Sequence, residues 1–250
     1  MLPNFLIIGA ARSGTSTLYR YLQSHRQIYL RPNKRPEPHF FFKESEYVKG
    51  LGYYEETWFP KEGSWQAVGE ASTSYLFGPA VPARVAEALP GVRLIALLRN
   101  PIDRAFSNYW HSVRSGFETL DFATAIERET ERTNAIEGTA LAELKPYSYI
   151  ARGFYYGQIS NYLRFFAREQ ITLATFEELC ERPALLLKDV YRHLRVAEEL
   201  PRRMDIIENR SVPEGTVLDP SLRRRLIQMY ADDVVRLGKL LDRDLTAWLG

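Results

Sequence analysis

FLIIGAARSGTSTLYRYL, Phe5 to Leu22, is the stretch whose reading decides the fold. It opens inside a short continuous apolar run, Asn4 to Gly9, the pattern of a strand buried on both faces of a parallel sheet. A Gly-Ser-Thr-rich turn follows, and an amphipathic helix is predicted over Thr15 to Ser24. A strand that delivers its chain into a tight turn and then a helix aims free backbone N–H groups at one point. The helix dipole adds partial positive charge there, so an anion is favoured. Gly9 and Gly14 permit the turn and the close approach of a ligand. Ser13, Thr15, Ser16 and Thr17 offer hydroxyl donors, and Arg12 supplies a full charge.

A nucleoside-triphosphatase loop reads GxxxxGK[ST]. The spacing from Gly9 to Gly14 matches, but Thr15 stands where the lysine belongs. A second apolar run, LIALLRNP from Leu94 to Pro101, carries Arg99 where a magnesium-dependent kinase or ATPase wants a carboxylate. Both features argue against Mg-ATP. They suit a nucleotide held by positive charge, with phosphates in two separate places. Taken alone, the turn reads equally well as a mere helix cap.

Outward from that loop, Val92 to Leu98 is a second strand, Ile171 to Phe176 a third and Trp65 to Glu70 a short fourth. Helices are predicted over Thr15 to Ser24, Pro79 to Ala88, Asn100-Pro101 to about Ser115, Phe154 to Ala167 and Asp219 to Leu241. Strands separated by helices give an α/β fold: a single P-loop-type domain over residues 1–250, with a central parallel sheet flanked by helices. Arg31 to Pro38, Lys61 to Ser64 and Ser211 to Pro220 read as its surface loops.

The 250 residues have the composition of an ordinary globular protein, and a net charge of +2 argues against wholesale binding of nucleic acid or membrane. Cys180 is the only cysteine, which excludes an intrachain disulfide and a cysteine metal cluster; His25, His39, His111 and His193 lack metal-ligand spacing. No apolar run reaches the length of a membrane span, and no signal-peptide pattern is read at the N-terminus. A soluble, cytoplasmic protein without a metal is the expectation.

Four ordered blocks carry a resemblance: FLIIGAARSGTSTLYRYLQSH, EPHFF, GEASTSYL and LIALLRNPIDRAFSNYWH, with LLDRDLTAWL closing the chain. Together they resemble sulfotransferases that use 3′-phosphoadenosine 5′-phosphosulfate (PAPS), especially the heparan sulfate branch and its bacterial relatives. The resemblance implies that Arg12, Ser13, Gly14, Thr15, Ser16 and Thr17 hold the 5′-phosphosulfate end of PAPS. It implies that Arg99 and Ser107 hold the 3′-phosphate, and that PAP is the product. Arg210 and Ser211, in ENRSVPEGTVLDP, fall where the family has a late loop that closes over the nucleotide.

The glutamate of EPHFF is the base in related glycosaminoglycan enzymes, so Glu37 is the candidate that deprotonates an acceptor hydroxyl. His39 and His111 stand in reserve, because other branches use a histidine. Arg12 is the candidate to stabilise charge developing on the leaving phosphate oxygen. Tyr155 and Tyr156 are placed by the resemblance at the acceptor pocket, their other reading being helix-face core. Glu70 is either a second carboxylate near the acceptor or a capping or ion-pair residue.

Departures fall on the donor and acceptor sides alike. Arg12 replaces the usual lysine, keeping the charge on a bulkier, forked group. Phe42 stands where many carbohydrate enzymes have an acidic residue, and Ala71 where EKTPSY has its lysine. The acceptor expected is therefore a hydroxylated small molecule or glycan, its identity and the oligomeric state being unreadable. A P-loop small-molecule or nucleoside kinase, and an inactive nucleotide-binding relative, are the alternatives.

Overall fold

Phe5, Leu6, Ile7 and Ile8 are wholly buried, because β1 (Phe5–Gly9) is the middle strand of a five-stranded sheet. The computed structural model describes residues 1–33, 35–137, 146–204 and 212–250. The strand order is β2-β3-β1-β4-β5, with β2 at Ile28–Leu30, β3 at Ala67–Ala71, β4 at Arg93–Leu98 and β5 at Ile171–Thr175. Every pairing is parallel: Phe5 stands opposite Gly69 on one side and Arg93 on the other, and Leu94 opposite Ile171. The chain first builds outward to β2 and β3, then returns to the far side of β1 for β4 and β5. The strand order thus reverses between β1 and β4, the place where ligands bind in open α/β sheets, beyond the carboxyl ends of the strands.

The helices in chain order are α1 (Thr15–Gln23), α2 (Glu44–Tyr47), α3 (Gly50–Trp58), α4 (Val81–Ala88), α5 (Pro101–Arg114), α6 (Phe122–Glu127), α7 (Glu129–Ala135), α8 (Tyr155–Tyr162), α9 (Phe176–Glu181), α10 (Pro183–Leu194) and α11 (Pro220–Leu241). The α/β fold with a parallel sheet flanked by helices is thus as the apolar runs implied. Two compact units are distinguished: Met1–Arg99 with Asn161–Asn209, and Asn100–Ser160 with Arg210–Gly250.

The first unit contains the whole sheet. A core there joins β1, α1, β2 and α10 through Phe5, Leu18, Leu22, Ile28, Leu187 and Val190. Each such side chain contributes roughly 1.5–3 kcal/mol on burial. β5 stops at Thr175 because its hydroxyl accepts from Glu178 N while Glu178 Oε2 accepts from Thr175 N, at 3.2 and 2.8 Å. This capping box turns the chain into α9 one residue before the predicted strand end.

In the second unit Asn100 caps α5, its Oδ1 accepting from Ile102 N at 2.9 Å while Nδ2 donates to Trp248 O at 3.2 Å. Arg104 on the same helix is fully buried and donates to the carbonyl of Tyr149. Glu129 accepts from the N–H groups of Ile150 and Ala151, at 2.6 and 2.9 Å. Asp219 caps α11 as predicted, accepting from Ser221 N and Leu222 N at 2.9 Å. The predicted helix from Phe154 to Ala167 ends earlier, at Tyr162. Beyond it, Arg164 N and Phe165 N bond back three residues to Asn161 O and Tyr162 O, a tight turn rather than an α-helix.

Candidate active site

The loop after β1 curls because two of its residues take the left-handed backbone, Arg12 at φ 71° and Gly14 at φ 86°. Gly14 is the N-cap of α1, and no acidic side chain in the first turn competes with an anion for the positive end of the dipole. A Cβ on Gly14 would come within 2.8 Å of Leu179 and 2.9 Å of Phe176, so α9 leaves room only for glycine. Ser13, Thr15 and Thr17 are buried, while Arg12, Gly14 and Ser16 are half-buried. Ser13 Oγ makes no hydrogen bond among the described residues. A buried hydroxyl in that position is a donor that a phosphate oxygen would satisfy.

Arg99, at the end of β4, donates from Nη1 to the carbonyl of Arg12 at 3.2 Å. Its guanidinium lies 4.5 Å from the ring centroid of Phe176. Phe176 therefore supports both the loop glycine and the arginine. Arg99 is held at the switch point of the sheet, with its stem and plane fixed by protein contacts.

EPHFF divides its labour. Phe40 and Phe41 are buried to 1 % and 0 % exposure, Phe40 stacking on Tyr54 at 4.4 Å and Phe41 meeting Tyr75 edge-on at 5.7 Å. They anchor the loop, and Glu37 and His39 project from that anchor. Glu37 Oε2 accepts from Thr73 N at 2.9 Å and from Thr73 Oγ1 at 3.0 Å. His39, at φ 51°, donates its N–H to Ser72 Oγ at 2.8 Å. Its Nδ1 lies 2.6 Å from Ser74 Oγ, and its Nε2 lies 3.6 Å from Glu37 Oε2.

The segment after β3 is thus a hydroxyl clamp, Ser72-Thr73-Ser74, closed on Glu37 and His39. It sits against the loop after β1: a Cβ on Gly9 would lie 3.2 Å from Thr73 O and 2.8 Å from Leu76 Cβ. Gly9 is required by that close approach.

Glu70 ends up behind the clamp. It is 5 % exposed and accepts from Tyr54 Oη at 3.1 Å and Ser72 Oγ at 2.9 Å. Burial pushes its carboxyl up to about 7, against the opposing effect of hydrogen bonds from Tyr75, Ser72 and Tyr54. A small, open cleft lies beside it, walled by Tyr19, Arg31, Trp58, Pro36, Pro38 and Ala71. The Arg31 guanidinium lies over Trp58, 4.9 Å from the ring centroid. Ala71 is buried in β3, and Phe42 packs over Gly78.

The remaining sequence candidates are placed as follows. Ser107 is buried on α5 in the second unit, and His111 lies further along the same helix. Tyr155 is fully buried, its ring edge-on to Trp248 at 6.2 Å, so it occupies helix-face core. Tyr156 lies under the guanidinium of Arg236, 4.1 Å away, and its hydroxyl is more acidic than usual because Arg236 donates to it. Arg210 and Ser211 lie outside the described residues. Among the described residues no cluster of His, Cys, Asp and Glu is placed to hold a metal, and no helix is long and apolar enough to cross a membrane.

Sequence reasoning missed Thr73, Ser72, Ser74, Phe176 and Tyr54. The hydroxyl run in GEASTSYL was a visible signal for the first three. Nothing local marks Phe176 or Tyr54, whose partners are distant in the chain.

A family model described as Sulfotransferase domain matches residues 2–214. A solved sulfotransferase from Alicyclobacillus acidocaldarius is 35% identical with a TM-score of 0.84, and the match covers 99% of each chain. The human bifunctional heparan sulfate N-deacetylase/N-sulfotransferase 2 is 27% identical over 202 residues, covering 78% of this chain and 22% of that protein. The human heparan sulfate glucosamine 3-O-sulfotransferase 3B1 is 30% identical over 188 residues, covering 73% of this chain and 43% of its own. The chain thus spans well under half the length of these curated relatives. A loop built for an anion, an arginine fixed at the switch point and a clamped carboxylate agree with these matches: the chain belongs to the PAPS-dependent sulfotransferase family.

Proposed function

We propose that residues 1–250 act as one sulfotransferase domain, moving a sulfuryl group from PAPS to a hydroxyl of a carbohydrate or small-molecule acceptor. The observation that carries the reading is the contact of two devices through Thr73: it holds the Glu37 carboxylate and abuts Gly9, where the anion loop begins. An anion grip and a base on adjoining backbone are what in-line transfer to an alcohol requires.

In this reading the Arg12 to Thr17 loop binds the 5′-phosphosulfate and Arg99, with Ser107, the 3′-phosphate. Ser13 Oγ supplies a buried donor, and Arg12 offsets charge on the departing phosphate oxygen. Glu37 takes the acceptor proton as its oxygen bonds to sulfur and the sulfur–oxygen bond to the phosphate breaks. His39, beside Glu37, is the reserve base. Arg210 and Ser211 are proposed nucleotide contacts. The cleft beside Glu70 would receive the acceptor. With Ala71 where the related enzymes carry a lysine, that wall has no cation at this position, which favours an acceptor that is not a polyanion. Tyr156 is kept as a candidate acceptor contact.

Calorimetric titration with PAP, and separately with Mg-ATP, tests the donor. Binding of PAP without magnesium supports the reading; binding of Mg-ATP alone would replace it with a kinase on the same scaffold. Glu37→Gln is expected to lower turnover by roughly 10²–10⁴-fold with PAP affinity retained.

A further inference from the structure

We infer that Glu70 is a positioning residue for the base: as a carboxylate, acting through Ser72, it holds the Glu37-Pro38-His39 segment in its working geometry. The inference rests on the reading of Glu37 as base.

The geometry is a chain of bonds in which each member fixes the next. Ser72 has one hydroxyl proton, and it goes to Glu70 Oε2 at 2.9 Å. That leaves the oxygen's lone pairs for the His39 N–H at 2.8 Å. His39 needs such a hold, because its left-handed backbone is disfavoured in a residue with a Cβ. The next two residues complete the clamp, Thr73 on Glu37 and Ser74 on His39 Nδ1. Tyr75 then accepts from Phe41 N at 3.3 Å and also bonds to Glu70. Four successive residues, Ser72 to Tyr75, thus tie EPHFF down, and two of them close on the same buried carboxylate.

Protonation would reverse one bond of this set. A carboxyl group must donate its proton, and its partners here are the hydroxyls of Tyr54, Ser72 and Tyr75, which now donate to it. The groups facing Glu70 are Tyr19 from α1, Arg31 beyond β2, Glu37 from the loop, Tyr54 from α3, Tyr75 and Tyr162. Burial and the charge of Glu70 push the hydroxyls of Tyr19, Tyr54, Tyr75 and Tyr162 upward, so they stay protonated. Burial also brings Glu70 itself up to about 7, so the rearrangement falls near neutrality.

The test is nitrogen-15 NMR of the imidazole rings in the full chain, titrated with acid and base across neutrality. The chain has four histidines, and loss of one signal in His39→Gln assigns His39. In the wild type the His39 ring signals should carry an inflection near pH 7 that reports Glu70. Glu70→Gln should abolish it, and so should Ser72→Ala, which keeps the carboxylate and breaks the link. PAP affinity in both variants is the folding control. A His39 curve unchanged in both variants overturns the positioning role. No turnover enters this readout, so the two failures separate: a Glu37→Gln protein that still transfers sulfuryl groups overturns the base assignment alone.

Discussion

Thr73 gives both its backbone N–H and its hydroxyl to one oxygen of Glu37, at 2.9 and 3.0 Å. The second oxygen of the carboxylate is left out of that clamp. Two donors on Oε2 fix the group, so its orientation is set by the segment after β3 rather than by its own loop.

Thr73→Val keeps the shape and the backbone donor but removes the hydroxyl. A hydrogen bond to a charged group contributes about 1.5–3 kcal/mol, so turnover should fall roughly 10–100-fold. PAP affinity should hold, since the anion loop is untouched. Steady-state transfer from PAPS beside calorimetry separates the two effects; a parallel loss of PAP binding would show that Thr73 acts on the donor loop through Gly9.

Arg99→Ala removes a cation whose plane rests on Phe176 and whose Nη1 reaches the Arg12 carbonyl. PAP affinity should drop at least about 10-fold, the scale of one charge-assisted hydrogen bond. Arg99→Lys should recover little, because an ammonium offers neither the stacked plane nor the fork. Calorimetry on both variants decides it, and full recovery by lysine would mean that charge alone matters.

Glu70→Gln should raise the melting temperature above pH 7 and change it little in acid. The folded carboxyl titrates at about 7 against an ordinary 4.5, so between those values the native state binds more protons than the unfolded chain. Stability contributed by this group is therefore lost as pH rises through that window and stays lost above it. At about 1.4 kcal/mol per pH unit the difference is about 3 kcal/mol, and each kcal/mol moves Tm by roughly 2–4 °C in a chain of this size. Thermal melts of both proteins on either side of the window measure it. A positioning carboxylate that costs stability when charged is the expected pairing.

The parts legible in the sequence were those whose signal is local. β1 and, from Leu94 on, β4 are runs of buried residues, and strands covered on both faces of a parallel sheet read as near-continuous apolar runs. β2 is three residues on the sheet edge, too short to show any period. The place of Arg99 was legible because it directly follows a buried run at the end of β4. Thr73 was not, since its partner Glu37 lies 36 residues earlier, and a threonine in a turn carries no mark of what it holds. Tyr155 shows the limit from the other side: aromatic rings at helical spacing read as pocket or as core, and Trp248, far along the chain, covers this one.

The strand order has a consequence for how such an enzyme diversifies. In the proposed reading the residues that grip the anion follow β1 and β4, whereas Glu37 and its clamp follow β2 and β3. The sheet is in effect a two-handed tool, one half committed to a common currency and the other free to be refitted. Exchanging the Arg31 to Phe42 segment together with Ser72 to Tyr75, as one cassette, would retool the molecule for a new acceptor without disturbing the hand that holds the donor.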